Sequence, residues 1–369
     1  MTGETYSSLM LRALELAERG RYGAGPNPLV GALVLDEAGN VVGEGGHLVC
    51  GGPHAEVLAL EAAGAGARNG TVVVTLEPCA HQGRTPPCVD ALLAAGIRRV
   101  VVGCLDTNPK VAGGGVERLK SAGLEVIVGV EEQSCRTLNR RFFHWVTCDR
   151  PFVSLKMAMT LDGKLAARGG ASRWITGEPA RKQGHMLREE YDAILVGVGT
   201  VLADNPRLVR HLGLNPEPDL LRAVLDSRLR TPLTARLVQE GARNTVLFCT
   251  PAAPARQRRE LEAAGVTVVE VAATSDRCDL WQALRWLSSH GVSSLLVEGG
   301  GEVHWSFLQE GLVQRVHAYV APMLLGGREA VPAVGGVGFS SPHEALKLSF
   351  VQMRQLGEDL ELVAEVGGV

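Results

Sequence analysis

The chain is poor in aromatic side chains: Phe, Trp and Tyr make up only 4% of its 369 residues. Its cores must therefore be filled mostly by Val, Leu and Ala, and a hydrophobic content of 46% supplies them. Long apolar runs are also missing. No stretch approaches the roughly 20 apolar residues that span a bilayer. Residues 1–20 alternate apolar and charged side chains and lack the apolar centre of a signal peptide. There is no excess of positive charge either. With 37 Lys and Arg against 40 Asp and Glu, the net charge of −3 gives no broad attraction to nucleic acid. Small anions remain open as substrates, since they need only a few local arginines. Eight cysteines in so long a chain do not make a disulfide scaffold. Six of them (Cys50, Cys104, Cys135, Cys148, Cys249 and Cys278) are scattered, mostly in apolar runs, as suits a reducing compartment. These absences predict a soluble, cytoplasmic protein, and the length predicts two domains.

The remaining two cysteines belong with a histidine. His54-Ala55-Glu56 is followed, after one predicted strand, by Glu77-Pro78-Cys79 and then Cys88. One imidazole and two thiolates suit a tetrahedral zinc whose fourth position is left to water, and such a metal pulls the pKa of that water toward neutrality. Glu56 stands near enough to move protons to and from the water without being a ligand. Each piece alone is weak, because a lone cysteine in apolar surroundings is usually core. Together they are specific: His54 and Glu56 at a helix start, Cys79 after the next strand, Cys88 at the following helix start. The H-x-E…P-C order resembles that of zinc-dependent nucleobase deaminases. One feature departs from it: residues 80–87 separate the cysteines, where that signature has two residues.

Periodicity places an amphipathic helix over 7–19, strands over 29–35 and 71–76, and further strands over 97–104 and 124–130. Pro53 is expected to open the helix that carries His54 and Glu56, and Cys88 to open another. Two helix N-termini at the metal favour thiolate over thiol. Residues 131–150 read as one closing helix and a connector. The strand–helix alternation predicts a layered α/β domain.

The insertion identifies the family. Thr75-Leu76-Glu77-Pro78-Cys79-Ala80-His81-Gln82-Gly83-Arg84-Thr85-Pro86-Pro87-Cys88, with Pro26-Asn27-Pro28 and Gly46-His47, resembles the deaminase half of the bifunctional riboflavin-biosynthesis deaminase/reductases. The resemblance implies a cytidine-deaminase-like three-layer α/β domain acting on a diaminopyrimidinone that bears a phosphoribosylamino group. It also implies that Asn27, His47 and His81 hold the ring. Without it, His47 and His81 would read as loop histidines bonded to backbone.

The second half starts near Pro151. Strands are expected over 152–160, 193–198, 221–225, 245–249, 266–271, 294–298, 316–320, 347–351 and 360–365, with helices over 176–188 and 281–289. Strand, Gly299-Gly300-Gly301, helix is the order a phosphate cradle needs, although the G-x-G-x-x-G spacing is absent. Lys156…Thr160-Leu161-Asp162-Gly163-Lys164, residues 196–206 and Val297-Glu298-Gly299-Gly300-Gly301 resemble the reductase half of the same family. That implies a dihydrofolate-reductase-like α/β domain using NADPH. Ala158, Trp174, Thr200, Gly300 and Gly301 would contact the cofactor. Ser172, Arg188, Asp204, Leu208 and Glu298 would contact the substrate, with Arg210 or Arg207 meeting its phosphate where the chain is one residue shorter than the family pattern. Read alone, Trp174 is a core aromatic, Arg188 a solvated helix face and Asp204 a turn former. Reduction needs a proton donor beside the hydride donor, and Lys156 and Asp204 are the candidates.

The expectation is a bifunctional enzyme with domains 1–148 and 149–369 and with Zn²⁺ and NADPH as cofactors. Its partner is a small phosphoribosylaminopyrimidine, not nucleic acid or membrane. A homo-oligomer, dimer or tetramer, is left open. A nucleic-acid-editing deaminase would need a basic strand-binding surface, and a structural zinc would close all four positions with protein ligands.

Overall fold

The computed structural model describes residues 3–81, 86–108, 112–216 and 220–367. It forms two compact units, Met1–Asp149 with Leu214–Pro216, and Arg150–Gly213 with Glu217–Val369.

In the first unit, α1 (Gly3–Glu18) precedes β1 (Gly31–Leu35) and β2 (Val41–Gly46). Then come α2 (Ala55–Ala63), β3 (Thr71–Leu76), α3 (Cys88–Ala94), β4 (Arg99–Cys104), α4 (Gly114–Ser121), β5 (Glu125–Val128), α5 (Glu132–Leu138) and α6 (Arg140–Cys148). The sheet order is β2-β1-β3-β4-β5, with β3, β4 and β5 parallel and β1 antiparallel to both neighbours. The central strands are continuous apolar runs because both faces are covered. Val72, Val74, Val100 and Val102 pack with α2, α3 and α4, while Val73 and Val101 pack with α1, α5 and α6. This makes three layers.

Two departures from expectation have local causes. The helix expected from Pro53 begins at Ala55, and His54 is its N-cap with extended backbone (φ −73°, ψ 156°). The Pro53 carbonyl lies 3.0 Å from His47 Nδ1 and is used outside the helix. The single closing helix is two, divided at Asn139, whose amide binds Leu29 N–H (2.7 Å) and Leu29 C=O (2.8 Å). The seat of α2 depends on Gly45, where an added Cβ would lie 2.2 Å from Ala55 O and 2.7 Å from Ala59 N. A bare backbone on β2 thus lets the helix start carrying His54 and Glu56 lie directly on the sheet.

In the second unit, β6 (Phe152–Thr160), β7 (Lys164–Ala166), α7 (Glu178–Glu190), β8 (Ala193–Gly197), α8 (Val198–Asp204) and β9 (Leu221–Leu225) come first. They are followed by α9 (Arg236–Gln239), β10 (Thr245–Cys249), α10 (Ala255–Ala263), β11 (Thr267–Glu270), β12 (Ala273–Thr274), β13 (Arg277–Cys278) and α11 (Leu280–Ser289). The last elements are β14 (Ser294–Gly299), α12 (Gly301–Gln309), β15 (Arg315–Ala321), β16 (Val331–Pro332), β17 (Leu348–Leu356) and β18 (Asp359–Val366). The main sheet runs β11-β10-β9-β8-β14-β6-β15-β18-β17, with every strand parallel except β18, which is antiparallel to both its neighbours. Helices α8, α9 and α10 cover one face, and α11 and α12 the other. Helix α8 is absent from the sequence reading. Its seven residues, Val198-Gly199-Thr200-Val201-Leu202-Ala203-Asp204, have weak helix propensity, and packing of Val198 and Val201 holds it. Strands β8 and β14 are neighbours whose following helices go to opposite faces. A crevice therefore opens at their C-terminal ends, the place where doubly wound sheets bind ligands. No helix among the described residues is long and apolar enough to cross a membrane.

Candidate active sites

The first unit holds a cleft of about 470 Å³ lined by His54, Glu56, Cys79, Asn27, His47 and His81, with Cys88 buried against the first three. The ligand atoms of His54, Cys79 and Cys88 all lie within 4.8 Å of one another. His54 Nδ1 is 3.0 Å from Cys88 Sγ and 3.6 Å from Cys79 Sγ, and Cys88 N–H points at Cys79 Sγ at 3.3 Å. One nitrogen and two sulfurs gathered in this way fit a zinc ion with one position free of protein. The neighbouring Cys88 thiol and, against burial, His54 hold the Cys79 thiol well below its ordinary range, which suits a thiolate ligand. Glu56 is buried, and burial pushes its carboxyl above the ordinary value. A buried carboxyl beside the ligands is placed to take up a proton and pass it on.

Two of the three ring-binding candidates, His47 and Asn27, are hydrogen-bonded to each other, and His81 lines the same cleft. His47 Nδ1 meets Pro53 O at 3.0 Å, and His47 Nε2 meets Asn27 Nδ2 at 3.1 Å. Glu77 is spent on structure: its carboxylate accepts N–H bonds from Gly113 (2.9 Å), Gly115 (3.0 Å), Val116 (3.0 Å) and Asp106 (3.3 Å). Of the insertion between the cysteines, residues 82–85 lie outside the described residues. Asp106 and Asn108 also line the cleft and went unnoticed in the sequence. The available signal was their position just past the C-terminal end of β4, beside the end of β3 that delivers Cys79.

The second unit's cleft, about 570 Å³, opens at the β8/β14 crevice. It is lined by Lys156, Ala158, Ser172, Trp174, Thr200, Asp204, Glu298, Gly300 and Gly301, all singled out from sequence. An added Cβ would lie 2.9 Å from Thr200 Oγ1 at Gly299 and 2.3 Å from Pro332 O at Gly301, while Gly300 has φ +78°. Only glycines allow this approach, and the first N–H groups of α12 have no partner within the helix. Glu302, an acid in that first turn, is bound by Arg277 (2.8 Å) and Gly336 N–H (3.0 Å). These features fit an extended dinucleotide phosphate.

Arg188 stands behind Glu298 and grips it with two bonds of 2.7 and 2.8 Å. Leu208 and Arg210 lie outside the lining. Arg210 donates to Arg188 O (3.1 Å) and Tyr191 O (2.7 Å), and Arg207 pairs with Glu240 at 2.5 Å. Arg181 is an unexpected lining residue, its guanidinium 4.4 Å above the Trp174 ring. Helical spacing would have found it, since Arg181, His185 and Arg188 share one face of α7. Burial pushes the Glu298 carboxyl up, but Arg188 and Lys156 outweigh it and hold the group at about 2. A carboxyl depressed in the folded state stabilises above its ordinary value of 4.5 and loses that contribution as pH falls toward 2. Arg188→Met should therefore destabilise the second unit by about 3–5 kcal/mol at pH 7, since an unpaired carboxylate is left buried. Thermal unfolding of the variant and wild type between pH 7 and 3 checks this, and the gap should narrow as Glu298 takes up a proton.

Comparison with known proteins matches each unit to a family. The model of the cytidine and deoxycytidylate deaminase zinc-binding region matches residues 3–104, and that of the RibD C-terminal domain matches residues 151–362. The riboflavin biosynthesis protein RibD of Actinobacillus pleuropneumoniae is 42% identical over 96% of this chain and 93% of its own. The chain belongs to the RibD family. RibD of Aquifex aeolicus is likewise 42% identical, over 98% of both chains. A solved structure of Acinetobacter baumannii RibD superposes with a TM-score of 0.89 at 37% identity, covering 100% of both chains. The chain is thus a bifunctional enzyme of riboflavin biosynthesis, a deaminase with a zinc-binding domain joined to an NADPH-dependent RibD reductase domain.

Proposed function

We propose that the first unit deaminates 2,5-diamino-6-(5-phosphoribosylamino)pyrimidin-4(3H)-one and that the second reduces the ribosyl group of the product to a ribityl chain. A Thermotoga maritima relative, 35% identical with a TM-score of 0.84 over 99% of each chain, is described as a diaminohydroxyphosphoribosylaminopyrimidine deaminase/5-amino-6-(5-phosphoribosylamino)uracil reductase. The observation that carries the reading is the His54, Cys79 and Cys88 cluster with Glu56 buried in the same cleft.

Zinc held by His54, Cys79 and Cys88 would supply a Lewis acid and an activated water. Glu56 takes the proton of the attacking water and delivers it to the departing amino nitrogen, so ammonia leaves and a ring carbonyl remains. Asn27, His47 and His81 fix the ring above it. In the second unit NADPH supplies the hydride. The ribose ring opens to a C1′=N imine as the amino proton passes to the ring oxygen; hydride would add at C1′ while Lys156 gives a proton to the nitrogen, with Asp204 lining the same cleft. Glu298, charged and backed by Arg188, takes the sugar hydroxyls. The aromatic face of Trp174 and the bare backbone of Gly300 and Gly301 seat the cofactor. We place the enzyme in the cytoplasm, where its reduced cysteines belong.

Zinc removal tests the division of labour. Stripped protein should release no ammonia from the diaminopyrimidinone and consume no NADPH with it. Given the deaminated product, 5-amino-6-(5-phosphoribosylamino)uracil, it should oxidise NADPH at the wild-type rate. Reduction that also stops on the deaminated compound would contradict the assignment.

A further inference from the structure

In the second unit, four arginines gather around one carboxylate at the end of the main sheet away from the crevice. Strands β8, β9 and β10 are parallel, and the crevice lies at the C-terminal ends of β8 and β14. A separate hollow of about 560 Å³ lies at the opposite, N-terminal ends of β9 and β10. Leu220 and Val238 give it an apolar lining, both almost fully buried, and Arg222, Glu240, Gly241 and Arg243 also line it. Glu240 is the one acid among the described lining residues, and it is already held from two sides. Arg236 Nε lies 3.0 Å from its Oε1 and Arg207 Nε lies 2.5 Å from its Oε2. These guanidiniums, Arg236 foremost, keep its carboxyl below the ordinary range.

The other two arginines are not spent on that carboxylate. Arg222 is buried, and its guanidinium donates to Gly241 O and, at 3.3 Å, to Arg207 O. Gly241 leaves the space beside it open, since an added Cβ would overlap this guanidinium. Arg243 is exposed and has no ion-pair or hydrogen-bond partner among the described residues. Four guanidiniums against one carboxylate is a local excess of positive charge on a chain whose net charge is −3. A hollow lined by one sign of charge over apolar walls concentrates its field and attracts the opposite sign. Guanidinium forks match pairs of phosphate oxygens, and they form stronger hydrogen bonds to an ionised acceptor than to a neutral one.

We infer that this hollow is an anion site of the reductase unit, distinct from its crevice, and that it takes the phosphate group of a small phosphorylated molecule. Arg243 supplies the cation that the fold leaves unpaired, and Arg222 the cation beneath it. The two ends of the sheet are separate, so the anion binds with NADPH in place. A nucleic-acid strand is not the occupant, because its row of phosphates needs a basic stripe and the cations here surround a single hollow.

Inorganic phosphate, titrated by calorimetry into zinc-loaded protein saturated with NADPH, tests this. Binding should be measurable and should weaken as salt rises from about 50 mM to about 500 mM, because the rim charges are screened. Arg243→Glu should raise the Kd for phosphate about 10-fold or more, while Arg243→Lys, which keeps the charge, should stay close to wild type. Arg243 has no partner to lose, so both variants should fold, with unchanged KM for NADPH and for the deaminated compound. Absence of phosphate binding would overturn the inference. Binding that survives Arg243→Glu would place the phosphate elsewhere and overturn it too, as would tighter binding of a single-stranded RNA oligonucleotide than of phosphate.

Discussion

Glu56→Gln should lower ammonia release by at least about 10³-fold while zinc stays bound. Glu56 is not needed as a ligand, since His54, Cys79 and Cys88 already supply three donors within 4.8 Å of one another. It is buried beside them, and burial raises its carboxyl. Gln has the same shape and fills the same space, so the helix start at Ala55 and the seat on Gly45 are undisturbed. Only the ability to take and give a proton is lost. Zinc per chain by elemental analysis and ammonia by a coupled assay separate the two roles. A variant that keeps its zinc and its activity would remove Glu56 from the mechanism.

Lys156→Met should lower NADPH oxidation by about 10²–10⁴-fold while leaving NADPH binding and ammonia release close to wild type. Lys156 rises from the middle of the sheet on β6, in the same cleft as Glu298 and the glycines that open α12. Burial lowers its pKa from the ordinary 10.5, with Arg188 adding to the fall and Glu298 opposing it. A cation under this strain gives up its proton more readily than a surface lysine, as proton delivery during hydride transfer requires. The sign with pH follows. Wild-type reduction should fall as pH rises through the Lys156 pKa, at a pH below 10.5. The variant should fold, because Glu298 keeps its two bonds to Arg188. NADPH oxidation across pH 6–10 and cofactor binding by fluorescence are the measurements, and unchanged turnover would transfer the role to another group.

The metal site was legible in the sequence because its chemistry forces a pattern. Ligands must sit at helix starts and a strand end, and His54, Cys79 and Cys88 did. Strands β9 and β10 were also read to the residue, being short, mostly apolar runs covered on both faces. What escaped depends on distant contacts. Asn139 splits a helix because Leu29, far away in the chain, needs its amide. Helix α8 is made by packing against the sheet, against its own propensity. Asp106 went unnoticed, and it is the parallel pairing of β3 and β4 that places it in the cleft with Cys79. Arg210 looked like a phosphate ligand, yet its guanidinium is engaged by the carbonyls of Arg188 and Tyr191. Side-chain partners of this kind are set by the fold and leave no mark on local spacing.

The most direct measurement follows ammonia and NADPH together after the phosphoribosylated diaminopyrimidinone is added to zinc-loaded protein. Ammonia should appear without delay, NADPH loss should lag behind it, and the two should finish at one of each per substrate. NADPH consumed without ammonia, or no ammonia at all, would contradict the account of two sites acting in this order.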